Sequence, residues 1–211
     1  MGVALKDRVW HNWVTHLPNQ LTVLRILLTP VFLLLLFSFG FGHKLLALGV
    51  FIIASTTDAY DGYLARKYNA VSAFGKFVDP LADKILVLSA FTAFWYLGYF
   101  PLWMLLLIAL RDIFVTALRM WMSAKKVILE TSGFAKSKTA VQMVAIYILL
   151  VYDLVAVWPL FDFLDPVLTW IENRQLFWWV MLLVVLLTVG SGVHYLTRNR
   201  VSIYSTLRSS S

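Results

Sequence analysis

Cysteine is absent from the 211-residue sequence, which excludes disulfide cross-links and thiolate metal sites. Charge is scarce as well. Asp, Glu, Lys and Arg make up 14% of the chain, against about 25% in an ordinary soluble domain. The charge that remains leans positive, with 18 basic against 11 acidic side chains and a net +7. No soluble basic block is present to hold a nucleic-acid duplex, so no nucleic-acid partner is expected. Basic residues scattered over short segments suit anionic lipid or phosphate instead. No Pro/Gly/Ser-rich linker, internal repeat or low-complexity tract divides the chain. A single domain over 1–211 is expected, with 1–17 a juxtamembrane segment and 198–211 a tail. The opening MGVALKDRVWHNW is too polar and too aromatic for a signal-peptide core.

What is present in abundance is apolar side chain. Hydrophobic residues reach 61% and the mean hydropathy is +0.79. Several runs near 20 residues are almost purely apolar, the length a helix needs to cross a bilayer. The expected fold class is therefore all-α integral membrane, with six transmembrane helices near 20–39, 44–67, 73–97, 101–123, 137–158 and 176–197. Gly40 and Gly42 break the first pair, Pro101 opens the fourth helix, and Asp162, Asp165 and Pro166 mark a loop before the last. Residues 3–16 mix Trp10, Trp13 and Val14 with Lys6, Arg8 and His11, a pattern for an amphipathic helix on the membrane surface. With the N-terminus in the cytoplasm, 16 of the 18 Lys and Arg fall on the cytoplasmic side, leaving Lys44 and Arg174 outside. The positive-inside rule then places both termini in the cytoplasm, and the localisation expected is a bacterial plasma membrane.

Against this background the stretch 56–84, TTDAYDGYLARKYNAVSAFGKFVDPLADK, stands out for four aspartates: Asp58, Asp61, Asp79 and Asp83. With each helical residue turning about 100°, Asp61 falls near −60° from Asp58, Gly62 near +40°, Ala65 near −20° and Arg66 near +80°. Two carboxylates, two small residues and an arginine thus share a face. Asp79 and Asp83 are i, i+4 neighbours on the next helix, with Gly75 one turn before them. Four carboxylates meeting at the cytoplasmic ends of neighbouring helices repel one another and need a counter-charge. Oxygen-only ligands favour hard cations such as Mg²⁺ or Mn²⁺, and two such ions are a recurring device for displacement at phosphorus. Gly62, Ala65 and Gly75 leave room for a ligand to approach the helices, and Arg66 offers a fork of donors to phosphate.

The pattern D58-x2-D61-G62-x2-A65-R66-x8-G75-x3-D79-x3-D83 resembles the complete signature of the CDP-alcohol phosphotransferases, with every position filled. The resemblance implies a six-helix membrane enzyme, often a homodimer, that displaces CMP from a CDP-linked donor with the hydroxyl of a second alcohol. It implies that Asp58, Asp61 and Asp79 are metal ligands and that Asp83 is both ligand and general base. Gly62, Ala65, Arg66 and Gly75 would line the site for the CMP half of the donor. The stretches LPNQLTVLRILLTPVF (17–32), RDIFVTALR (111–119) and KSKTAVQM (136–143) resemble the phosphatidylglycerophosphate synthase branch. Asp112 departs from it, standing where that branch more often has glutamate.

The same stretches make physical sense unaided. Asn19, Thr22 and Arg25 form a polar stripe at i, i+3 and i+6, a candidate second layer around the site. Arg111, Arg119, Lys136 and Lys138 supply cations for a doubly charged phosphate on the acceptor, which sn-glycerol 3-phosphate carries and choline or ethanolamine lacks. The donor expected is CDP-diacylglycerol, in contact with membrane lipid. Acceptors such as inositol phosphate, serine or a phosphatidyl lipid would use the same chemistry. A divalent-cation transporter is the rival from another class, but it would need acidic residues on further helices and inverted repeats, and neither is visible.

Overall fold

The computed structural model describes the backbone of residues 23–68, 73–125, 127, 129, 133–158 and 163–208, and the side chains of these residues apart from 58–68, 73–83, 133–137 and 207. Among the described residues there are seven α-helices and no strand: α1 Val23–Phe37, α2 Phe41–Tyr68, α3 Ala73–Tyr96, α4 Leu102–Ala124, α5 Gly133–Val155, α6 Asp165–Asn173 and α7 Leu176–Arg208. The chain forms two compact units, divided within α3 between Ser89 and Ala90. The surface segment 3–16, Asn19 and Thr22 lie outside the described residues.

In the first unit, α1 and α2 form a hairpin. Gly40 takes a positive φ of 101° at the turn, and the Lys44 ammonium reaches back to donate to the Leu36 carbonyl at 2.6 Å. A cation at a helix C-terminus satisfies a carbonyl the helix itself leaves open and meets the negative end of its dipole. Phe32 and Leu36 of α1 and Ala47, Phe51 and Ala54 of α2 are fully buried, with the Phe32 and Phe51 rings 5.3 Å apart.

In the second unit, α7 packs along α4, α5 and α6. Met104, Ile108, Val115 and Met122 recur at helical spacing on α4 and are buried, as are Ala145, Ile146 and Leu149 of α5 and Met181 and Val184 of α7. One end of this unit is closed by an aromatic cluster. Gly98, at φ +87°, ends α3, with Gly98 N–H donating to the Trp95 carbonyl and Tyr99 N–H to the Phe94 carbonyl, the paired bonds of a Schellman stop. The Tyr99 ring then sits 5.8 Å from Tyr152 and 5.3 Å from Phe177. Its hydroxyl donates to Asp153 Oδ1 at 3.0 Å. Burial, and then the Asp153 carboxylate, push that hydroxyl well above the ordinary phenol range, so it stays protonated. The start of α4, the end of α5 and the start of α7 therefore meet at one end, which makes α4 and α7 parallel and α5 antiparallel to both.

Five of the seven helices coincide with the expected helical segments to within a few residues, and α7 begins where expected. Among the described residues two segments, Lys138–Val155 in α5 and Leu176–Thr206 in α7, are long and apolar enough to cross a membrane. The polarity of the bundle is inverted relative to a water-soluble one. Leu27, Leu34, Leu110, Ile113, Leu186 and Val193 are exposed while Asp112, Lys138, Gln142, Thr188 and Ser191 are buried, which suits a hydrocarbon surrounding. Two expectations are corrected. The segment before the last span is not all loop: Asp165 in the first turn and Pro166 just inside the N-terminus start α6, both favourable there. Tyr152 then holds its far end by donating to Glu172 at 2.5 Å. The last helix does not stop near 197 but runs to Arg208, since no Gly or Pro stands between 197 and 208 and Asn199 and Thr206 bury along it.

Candidate active site

The signature lies on two helices of the first unit. α2 is helical through Asp58, Asp61, Gly62, Ala65 and Arg66, and α3 through Gly75, Asp79 and Asp83, so the backbone has the register on which the facing-carboxylate argument depends. Their side chains lie outside the described set. Among the described residues no group of three His, Asp or Glu side chains could hold a metal ion. The four signature aspartates remain the donor set that fits a hard divalent ion, with oxygen ligands and no competing nitrogen or sulfur. Arg25, on α1, is 1% exposed, so its guanidinium is enclosed by protein rather than reaching out to headgroups.

The second unit contains a buried ionic cluster built from three helices. Asp112 of α4 is wholly inaccessible. Its Oδ1 accepts from Arg111 Nη1 at 2.9 Å and from the Lys138 ammonium of α5, and its Oδ2 accepts from Gln142 Nε2 at 3.2 Å. Gln142 extends the cluster to Thr188 of α7, and Arg111 Nη2 donates to Ser191 Oγ at 2.9 Å. Gly192 is shaped to this arginine: a Cβ there would stand 3.0 Å from Arg111 Cγ and 3.2 Å from Nε. Among the described residues, two cations meet one carboxylate here, a local excess of positive charge in a buried setting. Such a charge is costly unless an anion offsets it.

Of the four cations singled out for the acceptor, the structure brings Arg111 and Lys138 together, through Asp112. Arg119 lies two turns further along α4, exposed, with its guanidinium 5.5 Å from the Tyr195 ring centroid, a cation–π contact. The Lys136 side chain lies outside the described set. Asp112 as the hub, with Gln142, Ser191 and Gly192 around it, was not anticipated. A signal for the α7 side was present, since Thr188, Ser191, Tyr195 and Asn199 interrupt an apolar run at helical spacing.

Residues 15–190 match the CDP-alcohol phosphatidyltransferase family. The chain belongs to this family. It is 36% identical to the CDP-diacylglycerol–glycerol-3-phosphate 3-phosphatidyltransferase of Bacillus subtilis over 196 residues, covering 87% of this chain and 95% of that protein. A probable phosphatidylglycerophosphate synthase of Mycobacterium tuberculosis is 44% identical over 137 residues, 63% of this chain and 65% of that protein. A CDP-diacylglycerol–glycerol-3-phosphate 3-phosphatidyltransferase of Rickettsia typhi is 41% identical over 146 residues, 64% and 76% of the two chains. The CDP-alcohol phosphatidyltransferase match takes in all eight signature residues and the Arg111–Asp112–Lys138 cluster, and ends at the residue before Ser191.

Proposed function

We propose that this chain transfers the phosphatidyl group of CDP-diacylglycerol to sn-glycerol 3-phosphate, releasing CMP. The donor half of the reading is supported by the filled signature on α2 and α3, and the shared name of the relatives supports the acceptor. The observation that carries the acceptor is the buried Arg111–Asp112–Lys138 cluster, whose two converging cations suit a phosphate that a neutral alcohol lacks. Asp58, Asp61, Asp79 and Asp83 would hold two Mg²⁺ or Mn²⁺ ions, which when bound supply charge neutralisation for the donor diphosphate. Arg66 would donate to phosphate oxygens of the donor, with Gly62, Ala65 and Gly75 leaving space for its CMP half. Asp83 would take the proton of the acceptor's primary hydroxyl. That oxygen forms a bond to the phosphorus nearer the diacylglycerol, and the bond to CMP breaks, with CMP keeping the electron pair. Arg25 would stand behind the site as a second layer, along with Asn19 and Thr22.

Steady-state kinetics with each substrate varied in turn test the acceptor. Arg111→Ala removes a charge-assisted hydrogen-bond donor, worth about 1.5–3 kcal/mol, so the KM for glycerol 3-phosphate should rise by roughly one to two powers of ten. The KM for CDP-diacylglycerol should change little. Arg119→Ala should move the acceptor KM in the same direction. Arg111→Lys should stay impaired, because one ammonium cannot reach both Asp112 and Ser191 as the guanidinium fork does. An unchanged acceptor KM in both alanine variants, or activity with inositol phosphate and none with glycerol 3-phosphate, would remove the assignment while leaving the metal chemistry standing.

The same reading makes this a six-span protein of the plasma membrane, working as a homodimer with both termini and the active site in the cytoplasm. The shared end of α4, α5 and α7 near Tyr99 supports it, because residues on either side of Asp165 must then emerge where Tyr99 does. A reporter fused after Gly42, Tyr99 or Asp165 should read as external, and one after Ala70, Lys126 or Ser211 as cytoplasmic. A cytoplasmic signal after Asp165 would overturn the six-span arrangement.

A further inference from the structure

Thr188, Ser191, Tyr195 and Asn199 follow one another along α7 at spacings of three, four and four, and none is more than 5% exposed. This is a polar stripe turned inward on a helix that is otherwise apolar. Three of its members have their polar side-chain groups engaged. Thr188 lies against Gln142 Nε2, Ser191 accepts from Arg111 and donates to the Thr188 carbonyl, and Asn199 donates to the Tyr195 carbonyl. Tyr195 is the exception. It is 1% exposed, yet among the described residues its hydroxyl has no hydrogen-bond partner. A buried hydroxyl left in that state is destabilising, and phenylalanine would fill the same volume without it. Packing therefore accounts for the ring and not for the oxygen.

The surroundings say what the oxygen is for. One turn before it, about 6 Å along the axis, Ser191 accepts from Arg111, at the edge of the cluster that holds Arg111 and Lys138. Over the Tyr195 ring lies the guanidinium of Arg119. We propose that Tyr195 is the specificity-determining residue of the acceptor subsite. Its hydroxyl hydrogen-bonds the non-reacting secondary hydroxyl of a short polyol phosphate, while the cations of α4 and α5 hold the phosphate. One helical turn is a span that a three-carbon phosphate ester bridges. The assignment rests on the acceptor reading above and goes beyond it by naming the group that distinguishes glycerol 3-phosphate from other phosphorylated alcohols.

The test uses the full-length enzyme with CDP-diacylglycerol and Mg²⁺, assayed for CMP release with two acceptors. One is sn-glycerol 3-phosphate; the other is 3-hydroxypropyl phosphate, which lacks only the secondary hydroxyl. Tyr195→Phe should raise the KM for glycerol 3-phosphate about tenfold, the loss of one neutral-to-moderate hydrogen bond. It should leave the KM for 3-hydroxypropyl phosphate and for CDP-diacylglycerol nearly unchanged, so that the variant no longer distinguishes the acceptors. Its unfolding midpoint without substrate should equal or exceed the parent's, since an unpartnered buried oxygen has been removed. An equal rise in KM for both acceptors, no rise for either, or a lowered midpoint in the free enzyme would each overturn the proposal. A parent enzyme that releases no CMP with glycerol 3-phosphate would show, before any variant is made, that the acceptor reading itself had failed.

Discussion

Replacing Asp58, Asp61 or Asp79 by asparagine is expected to reduce CMP release by a factor on the order of 10²–10³ or more, the scale set by losing one preorganised electrostatic contact at a reacting phosphate. Asparagine keeps the shape and one oxygen but removes the charge that holds a divalent ion. Each variant should therefore also lose Mn²⁺ affinity, read by the paramagnetic signal of free Mn²⁺ during titration. Asp83→Asn should be equally inactive while keeping more Mn²⁺ and donor binding, because its first task in the proposed reaction is to accept a proton. Folding offers an independent check. If the four carboxylates face one another without their ions, neutralising one relieves repulsion, and the ion-free variants should be at least as stable as the parent. A variant among the first three that turned over near the parental rate at limiting Mg²⁺ would end the two-metal reading.

The second large effect is expected at Asp112. Its side chain is wholly buried, and it pairs with both Arg111 and Lys138, whose side chains are 11% and 6% exposed. Asp112→Ala would leave two cations in a low-dielectric interior. Removing one partner of a buried ion pair costs about 3–5 kcal/mol, so the midpoint of detergent-induced unfolding should fall sharply. Asp112→Leu combined with Lys138→Met, which removes one cation along with the carboxylate, should recover part of that loss. It should not restore the acceptor KM, because Arg111 would have lost the carboxylate that orients it. An alanine variant as stable as the parent would mean that the cluster does not hold α4, α5 and α7 together. Full recovery of acceptor binding in the double variant would mean that Asp112 does not position Arg111.

Much of this was legible along the chain, and where it was not, the reason is contact distance. Asp58 to Arg66, and Gly75 to Asp83, lie within single helices, so their shared faces follow from the helical turn alone. Arg111 and Lys138 were marked as cations for the acceptor by their type and by the stretches in which they sit. That both converge on Asp112 could not be read, because the bonds join residues 26 and 30 positions apart and reach Ser191 80 positions from Arg111. Asp162, Asp165 and Pro166 point to a loop before the last span, yet α6 occupies 165–173. That helix depends on Pro166 at the first turn and on Tyr152 of α5 holding Glu172.

The sequence by itself determined that the chain is helical, that it presents apolar surface outward, and that four aspartates occupy the signature spacing of the CDP-alcohol phosphatidyltransferases. A fixed turn per residue and a fixed rise convert spacing into faces and lengths without knowledge of neighbours. Only the tertiary structure decided which faces meet. It turned the polar stripe of α7 toward α4 and α5, set Arg111 against Gly192, and closed a lysine, an arginine and a glutamine around one inaccessible carboxylate. These are pairings between helices remote in the chain. In an interior that excludes water, a buried charge is tolerated only where such partners arrive together.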